Sequence, residues 1–337
     1  MYKGSEIMTK IMLTGDRPTG KYHLGHYIGS LKNRVELQDE YESIFIVADL
    51  HMLTTKNNRE DIIKSKENAR QLVLGALACG IDPNKATFYL QSLIPEINEI
   101  YTLFQSLISV SRLERVPSLK EMAKDADIEM PYALLGYPIL QAADILCVKA
   151  DVVPVGKDNL SHVEITREIA MKFNKKYGEV FPIPKSVSSD ECTNLPGIDG
   201  KGKMSKSAGN VINLTDTKED LRKKVMKMPT DPNRIRPDIP GKIEDNLIFV
   251  YHDLFNDNKA EVKELKERYQ KGTVGDVEVK ERLINALDRF LTPFRERYNK
   301  YNDNEYLDKL IIEGSKKVRK IVQKTLEEMK EAMGFYS

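Results

Sequence analysis

The sequence predicts an α/β fold over its first two-thirds, followed by an all-helical region. Three observations carry this. Short apolar runs alternate with helical patterns as far as about Asn213, the rhythm of parallel βαβ units. The run Ser43–Ala48 is almost continuously apolar, as expected of a strand buried on both faces of a parallel sheet. Beyond Leu214 the pattern is helical and densely charged, with no convincing strand.

In chain order, Lys10–Thr14 reads as the first strand, followed by the turn Gly15-Asp16-Arg17-Pro18-Thr19-Gly20. A helix is expected from about Leu24 to Glu40, then the strand Ser43–Ala48. Thr87–Gln91 and Asp151–Val155 read as two further strands, each after a helical stretch. Helical periodicity then covers Lys218–Lys227, Glu244–Phe255, Ala260–Tyr269, Val277–Tyr298 and Asn304–Met333. A boundary near Asn213 therefore divides the chain into 1–213 and 214–337. Two domains also suit 337 residues, at roughly 100–200 per domain.

With 52 basic and 51 acidic residues, the net charge of +1 excludes a uniformly cationic nucleic-acid coat and leaves room for a local basic patch. Cys79, Cys147 and Cys192 are scattered and form no Cys-x-x-Cys pair, which points to reduced thiols and to no metal site. The stretch Met1–Leu13 carries Lys3, Glu6 and Lys10 and lacks the apolar core of a signal peptide. No apolar run approaches the ~18 residues that span a bilayer. A cytoplasmic chain with no membrane partner is expected.

Two motifs carry chemistry. Gly202-Lys203-Met204-Ser205-Lys206-Ser207 follows a glycine-punctuated segment and reads as a loop. Its lysines can bring ammonium donors to a polyphosphate, most usefully as charge builds on departing pyrophosphate. A preset pentapeptide arises by chance in about one chain of this length in ten thousand, so an ordinary basic loop is a poor account. The second motif, His23-Leu24-Gly25-His26, opens a helix directly after the strand and turn. Free backbone N–H groups there suit a phosphate, Gly25 leaves room for a nucleotide, and the histidines can donate to an α-phosphate. Alone, this second motif is equally compatible with two solvent-facing histidines.

Together the two motifs resemble the paired signatures of class I aminoacyl-tRNA synthetases, within them the tryptophanyl and tyrosyl subgroup. Gly15–Ser30, Ala48–Thr54, Tyr137–Leu146, Val153–Ile169 and the closing Gly314–Gly334 extend the resemblance over nearly the whole chain. It implies a doubly wound parallel-sheet nucleotide-binding domain interrupted by an inserted helical dimerisation segment at about 53–130. It also implies an all-helical anticodon-binding domain over 214–337, and a homodimer. Carried over by position, the ATP contacts would be Arg17, Pro18, Thr19, Gly25, His26, Gly156, Lys157, Asp158, Leu195, Lys203, Met204, Ser205, Lys206 and Ser207. Catalysis would fall to His23, His26, Lys203 and Lys206. Asp158 would hold the ribose hydroxyls, with helix capping as its competitor. Mg²⁺ would arrive on the ATP phosphates, without a dedicated protein site.

Tyr137, Gln141 and Asp144 share one face of a mostly apolar helix. A buried Asp144 needs donors, and either an indole N–H or a phenol O–H would serve. The resemblance adds His51, Leu13 and Gly15 to this amino-acid site. Leu13 stands where tyrosyl enzymes place a Tyr, and His51 matches the tryptophanyl pattern. The implied reaction is ATP-dependent joining of L-tryptophan to tRNA(Trp) through a tryptophanyl-adenylate, releasing AMP and pyrophosphate. Tyrosine is the alternative substrate, because Gln141 also fits tyrosyl enzymes. Arg222–Lys227, Arg234–Arg236 and Lys316–Lys320 are the basic runs available to tRNA.

Overall fold

Among the described residues, five short strands form one parallel sheet: β1 (Ile11–Asp16), β2 (Glu42–Val47), β3 (Ala86–Leu90), β4 (Val152–Pro154) and β5 (Lys185–Val187), in the order β3-β2-β1-β4-β5. The computed structural model describes residues 10–156, 159–187, 195–206 and 208–336. β1 runs further into the expected turn than its sequence suggests, since Gly15 pairs with Ile46 and Asp16 with Val47. β5 went unforeseen because exposed Lys185 and half-buried Ser186 and Val187, just after Pro184, carry no apolar run. The order reverses between β1 and β4, and the carboxyl ends of strands at such a switch point form a ligand crevice.

The expected first helix is composite. Leu24–His26 is α-helical, Tyr27–Leu31 is a π-helical turn, and Lys32–Leu37 is again α-helical. Arg34 is buried and grips Asp16 at the end of β1 through two bonds of 2.5 and 3.2 Å.

The chain divides into two compact units, and neither follows the linear boundary at Asn213. One comprises Met1–Lys21, Ser30–Cys192 and Tyr301–Ser337; the other comprises Tyr22–Gly29 and Thr193–Lys300. The first unit holds the sheet together with the last helix, Asn304–Met333, which lies against β3. Gly314 makes that approach possible, because a Cβ there would stand 1.9 Å from the Phe88 carbonyl oxygen. Ser315 then accepts the Leu90 N–H at 3.0 Å and donates to Ile311 O at 2.7 Å. The range 53–130, expected to be an inserted helical segment, contains β3, which pairs in register with β2. The short helices that follow, Glu96–Phe104, Val110–Leu113 and Pro117–Asp125, lie between β3 and β4.

The second unit contains the helices Lys218–Met226, Leu247–Phe255 and Lys259–Gln270 and nearly all of Asp276–Tyr301. Buried Arg234 ties its loops, donating to Ile239 O at 2.7 Å, to Pro237 O at 2.6 Å and to Val274 O. Its guanidinium also lies 4.0 Å from the Tyr269 ring centre. Among the described residues, no helix is long and apolar enough to cross a membrane.

Candidate active site

In the first unit, a buried polar cluster forms around the helix Tyr137–Cys147. Asp144 is 3% exposed and both its carboxylate oxygens are engaged. Oδ2 accepts from His51 Nε2 at 2.9 Å. Gln91 Nε2 reaches Oδ1 at 2.9 Å and Oδ2 at 3.0 Å. Burial raises the Asp144 carboxyl above its ordinary value, and the His51 hydrogen bond opposes that shift. Toward an ionised Asp144, which only accepts, His51 Nε2 is the donor, and His51 Nδ1 is a buried nitrogen without a partner. The Tyr137 ring lies 4.2 Å from the His51 ring and 5.3 Å from that of His162. Gln141 meets His162 Nδ1 through Oε1 at 2.8 Å, while His162 Nε2 meets Ser118 Oγ at 2.6 Å.

Leu13 is buried on β1, and Gly15 lies two residues further toward the carboxyl end of that strand. Pro18 and Thr19 lie in the turn beyond it, where Thr19 N–H bonds to Arg17 O at 2.8 Å. Arg17 donates to Thr55 Oγ1 at 3.1 Å. Gly156 follows β4 and accepts the Asn159 N–H at 3.0 Å. Lys157, Asp158 and Ser207 lie outside the described residues.

The second unit brings the two motifs together. Leu24 N–H bonds to Ile212 O at 2.9 Å and Leu214 N–H to Tyr22 O at 3.3 Å, so His23 pairs antiparallel with Asn213 just beyond the lysine loop. That loop is a hairpin. Pro196 pairs with Lys203, and Met204 N–H bonds to the carbonyl of buried Leu195 at 3.1 Å. Asn210 closes it, accepting the Ser205 N–H at 2.7 Å and donating to Asp199 Oδ1 at 3.0 Å. A Cβ at Gly25 would come within 3.0 Å of the His23 imidazole and 3.3 Å of Met204 Cβ. The glycine therefore serves packing between the motifs as well as any room left for a ligand.

His23 N–H donates to His26 Nδ1 at 3.2 Å, which places the proton of a neutral His26 on Nε2. The two rings lie 3.7 Å apart. Burial pushes the His23 imidazole down to about 3, helped by the charges of His26 and Lys206. His23 is thus neutral at physiological pH, and its Nδ1 is buried without a partner. Lys203 and Lys206 are exposed. The described residues hold no group of three or more His, Cys, Asp and Glu arranged for a metal ion.

Six of the basic residues expected at a tRNA surface have acidic or carbonyl partners, among them Lys224 with Asp216, Arg236 with Asp238 and Lys317 with Glu42. Arg234 is consumed by backbone carbonyls, Arg222 pairs with Glu281, and Arg319 pairs with Glu96 at 2.8 Å. Sequence reasoning missed Gln91, His162, Ser118 and Asn210. Only Gln91 left a signal, as a polar residue at the carboxyl end of a parallel strand.

A sequence model of the family described as tRNA synthetases class I (W and Y) matches residues 9–292. The chain is 54% identical over 325 residues to the tryptophan–tRNA ligase of Treponema pallidum, covering 96% of each protein. It is 52% identical to the tryptophan–tRNA ligase of Borreliella burgdorferi, covering 96% of this chain and 93% of that one. Among solved structures, tryptophanyl-tRNA synthetase from Campylobacter jejuni, complexed with ADP and tryptophan, superposes with a TM-score of 0.86. It shares 33% identity, with 96% of this chain and 100% of that one covered.

Proposed function

Because the chain belongs to the class I tRNA synthetases of the tryptophan and tyrosine family, we infer that it joins L-tryptophan to tRNA(Trp) at the expense of ATP. One observation carries the chemistry. Backbone bonds tie the His23–His26 motif to residues 212–214 just beyond the Lys203–Lys206 loop, and Gly25 packs against Met204, so the imidazoles and ammonium groups lie in one unit.

The carboxylate of tryptophan attacks the α-phosphorus of ATP and pyrophosphate departs. This step needs positioning and charge stabilisation more than a general base. His23, neutral and with an unpartnered buried nitrogen, fits an N–H donor to the α-phosphate. His26 offers a second donor at Nε2. Lys203 and Lys206 neutralise the leaving pyrophosphate, and Met204, Ser205 and Leu195 shape the loop that carries them. Arg17, Pro18, Thr19 and Gly156 lie beyond the carboxyl ends of β1 and β4, where the crevice rule places a nucleotide. Lys157, Asp158 and Ser207 complete that proposed set. Mg²⁺, bound through the phosphates, would supply further charge neutralisation.

Asp144 receives the indole N–H, with Tyr137, His51, Gln141, Leu13 and Gly15 around it. A terminal hydroxyl of the tRNA then attacks the adenylate carbonyl and AMP leaves. The helices between Lys218 and Lys300, which belong to the second unit, are the proposed anticodon reader. The exposed apolar side chains Val110, Ile128, Met130 and Tyr132 suit a homodimer face. A cytoplasmic location accords with protein synthesis.

ATP–pyrophosphate exchange with tryptophan and tyrosine side by side tests the assignment. Exchange with tryptophan, followed by charging of tRNA(Trp), is expected. Exchange with tyrosine alone overturns it.

A further inference from the structure

Gln91 lies at the carboxyl end of β3, is fully buried, and lies outside the segments that carry the family resemblance. Its carboxamide has an unambiguous orientation. Leu50 N–H donates to Oε1 at 3.1 Å, so the amide nitrogen must be the atom that faces Asp144. That nitrogen bridges both Asp144 oxygens, at 2.9 and 3.0 Å. The same side chain therefore tethers the turn Leu50–Thr54, which presents His51, and orients the carboxylate that His51 also touches. A carboxylate has about four lone-pair sites. The His51 contact and the two from Gln91 use three of them, leaving room for one further donor.

We propose that Gln91 is a positioning residue for amino-acid recognition, holding Asp144 ionised and aimed as the acceptor of the substrate's ring N–H. The proposal rests on the reading of Asp144 as the recognition carboxylate. The physical reason is the surroundings of Asp144. His51 and Asp49 face it from the turn, Tyr89 from β3, and Cys147 from its own helix. Of these only His51 favours the ionised form, while burial and the Asp49 charge oppose it. Without the Gln91 donor, protonation gains ground, and a protonated carboxyl presents an O–H to a ligand that has only an N–H to give.

Two substitutions in the full-length enzyme test this. Gln91→Met keeps length and removes both polar ends. It should raise the tryptophan KM at least about tenfold, leave the ATP KM nearly unchanged, and move the acid limb of kcat/KM for tryptophan to higher pH. Gln91→Glu keeps the acceptor for Leu50 but sets a second carboxyl against Asp144. Two such groups share one proton. The tryptophan KM should therefore be worst at about pH 8 and recover toward the wild-type value near about pH 6, as the introduced carboxyl becomes a donor. A merely structural role would move both KM values together and give no acid recovery, and that result overturns the proposal. An unchanged tryptophan KM in both variants also overturns it. If Asp144→Asn likewise leaves the tryptophan KM unchanged, the underlying reading of Asp144 falls as well; if Asp144→Asn is impaired, only the role of Gln91 falls.

Discussion

Replacing Asp144 with Asn probes amino-acid recognition with almost no change of volume. The carboxylate accepts from His51 at 2.9 Å and from Gln91 at 2.9 and 3.0 Å, all buried. An amide keeps one oxygen and sets an NH2 where the other stood, so one of the two donors is left facing a donor. A buried donor without an acceptor costs ~1–3 kcal/mol, which is the expected loss of folding stability. A hydrogen bond to a charged acceptor contributes ~1.5–3 kcal/mol, so the tryptophan KM should rise roughly 10- to 150-fold. Asp144 is not among the proposed ATP contacts, so the ATP KM should change less than about twofold. Exchange kinetics with each ligand varied at saturating levels of the other measure both constants, and chemical denaturation measures the stability term. The wild-type enzyme should also lose tryptophan affinity as acid protonates Asp144, whereas the Asn variant should show no such limb. Equal increases in both KM values, or an acid limb that persists in the variant, would refute the argument.

His23 makes a stability prediction. Its folded-state pKa of about 3 lies below the ordinary 6.5, so the unfolded chain binds a proton that the folded one refuses. Stability is full above the unfolded value and should fall between pH 6.5 and about 3, with a slope of up to ~1.4 kcal/mol per pH unit. Urea titrations across that range should show His23→Gln lacking this slope; an unchanged slope argues against a buried neutral imidazole. Asn210→Ala removes the acceptor of Ser205 N–H and should cut the exchange kcat about 10- to 100-fold with the tryptophan KM intact. A drop in melting temperature alone would show Asn210 to be purely structural. Gly314→Ala would gain up to ~1 kcal/mol in a free helix. Here the added Cβ would meet Phe88 O at 1.9 Å, so calorimetry should show a net loss of about 2 kcal/mol or more.

The parallel sheet was legible because Ser43–Ala48 is an almost continuously apolar run, as a doubly covered strand requires, and the motifs were legible because the lysine string is rare and the histidine string sits directly after a strand and turn. β5 was not, since one exposed and two half-buried residues make no pattern. Nor was the attachment of Asn304–Met333 to the sheet unit. Its charge density reads like that of the neighbouring helices, and the deciding contacts lie in Gly314 and Ser315, whose meaning depends on a strand 225 positions away. The Asp144 cluster was half visible. Helical spacing gave Tyr137, Gln141 and Asp144 a common face, but Gln91 and His162 arrive from other elements, and spacing within one segment cannot reveal them. Arg234 misled because a basic residue in a loop looks solvated until its carbonyl partners are known.

The covering of β3 by the final helix bears on how the protein is made. Strand β3 emerges from the ribosome long before Ser315, which lies 225 residues after Leu90. At about 5–20 residues per second, the sheet's flank stays bare for roughly 10–45 s of each round of synthesis. A bare strand of this kind is a template for mispairing with other nascent chains. A ribosome that stalls or stops early leaves that flank uncovered for good, so incomplete copies are the ones most prone to clump.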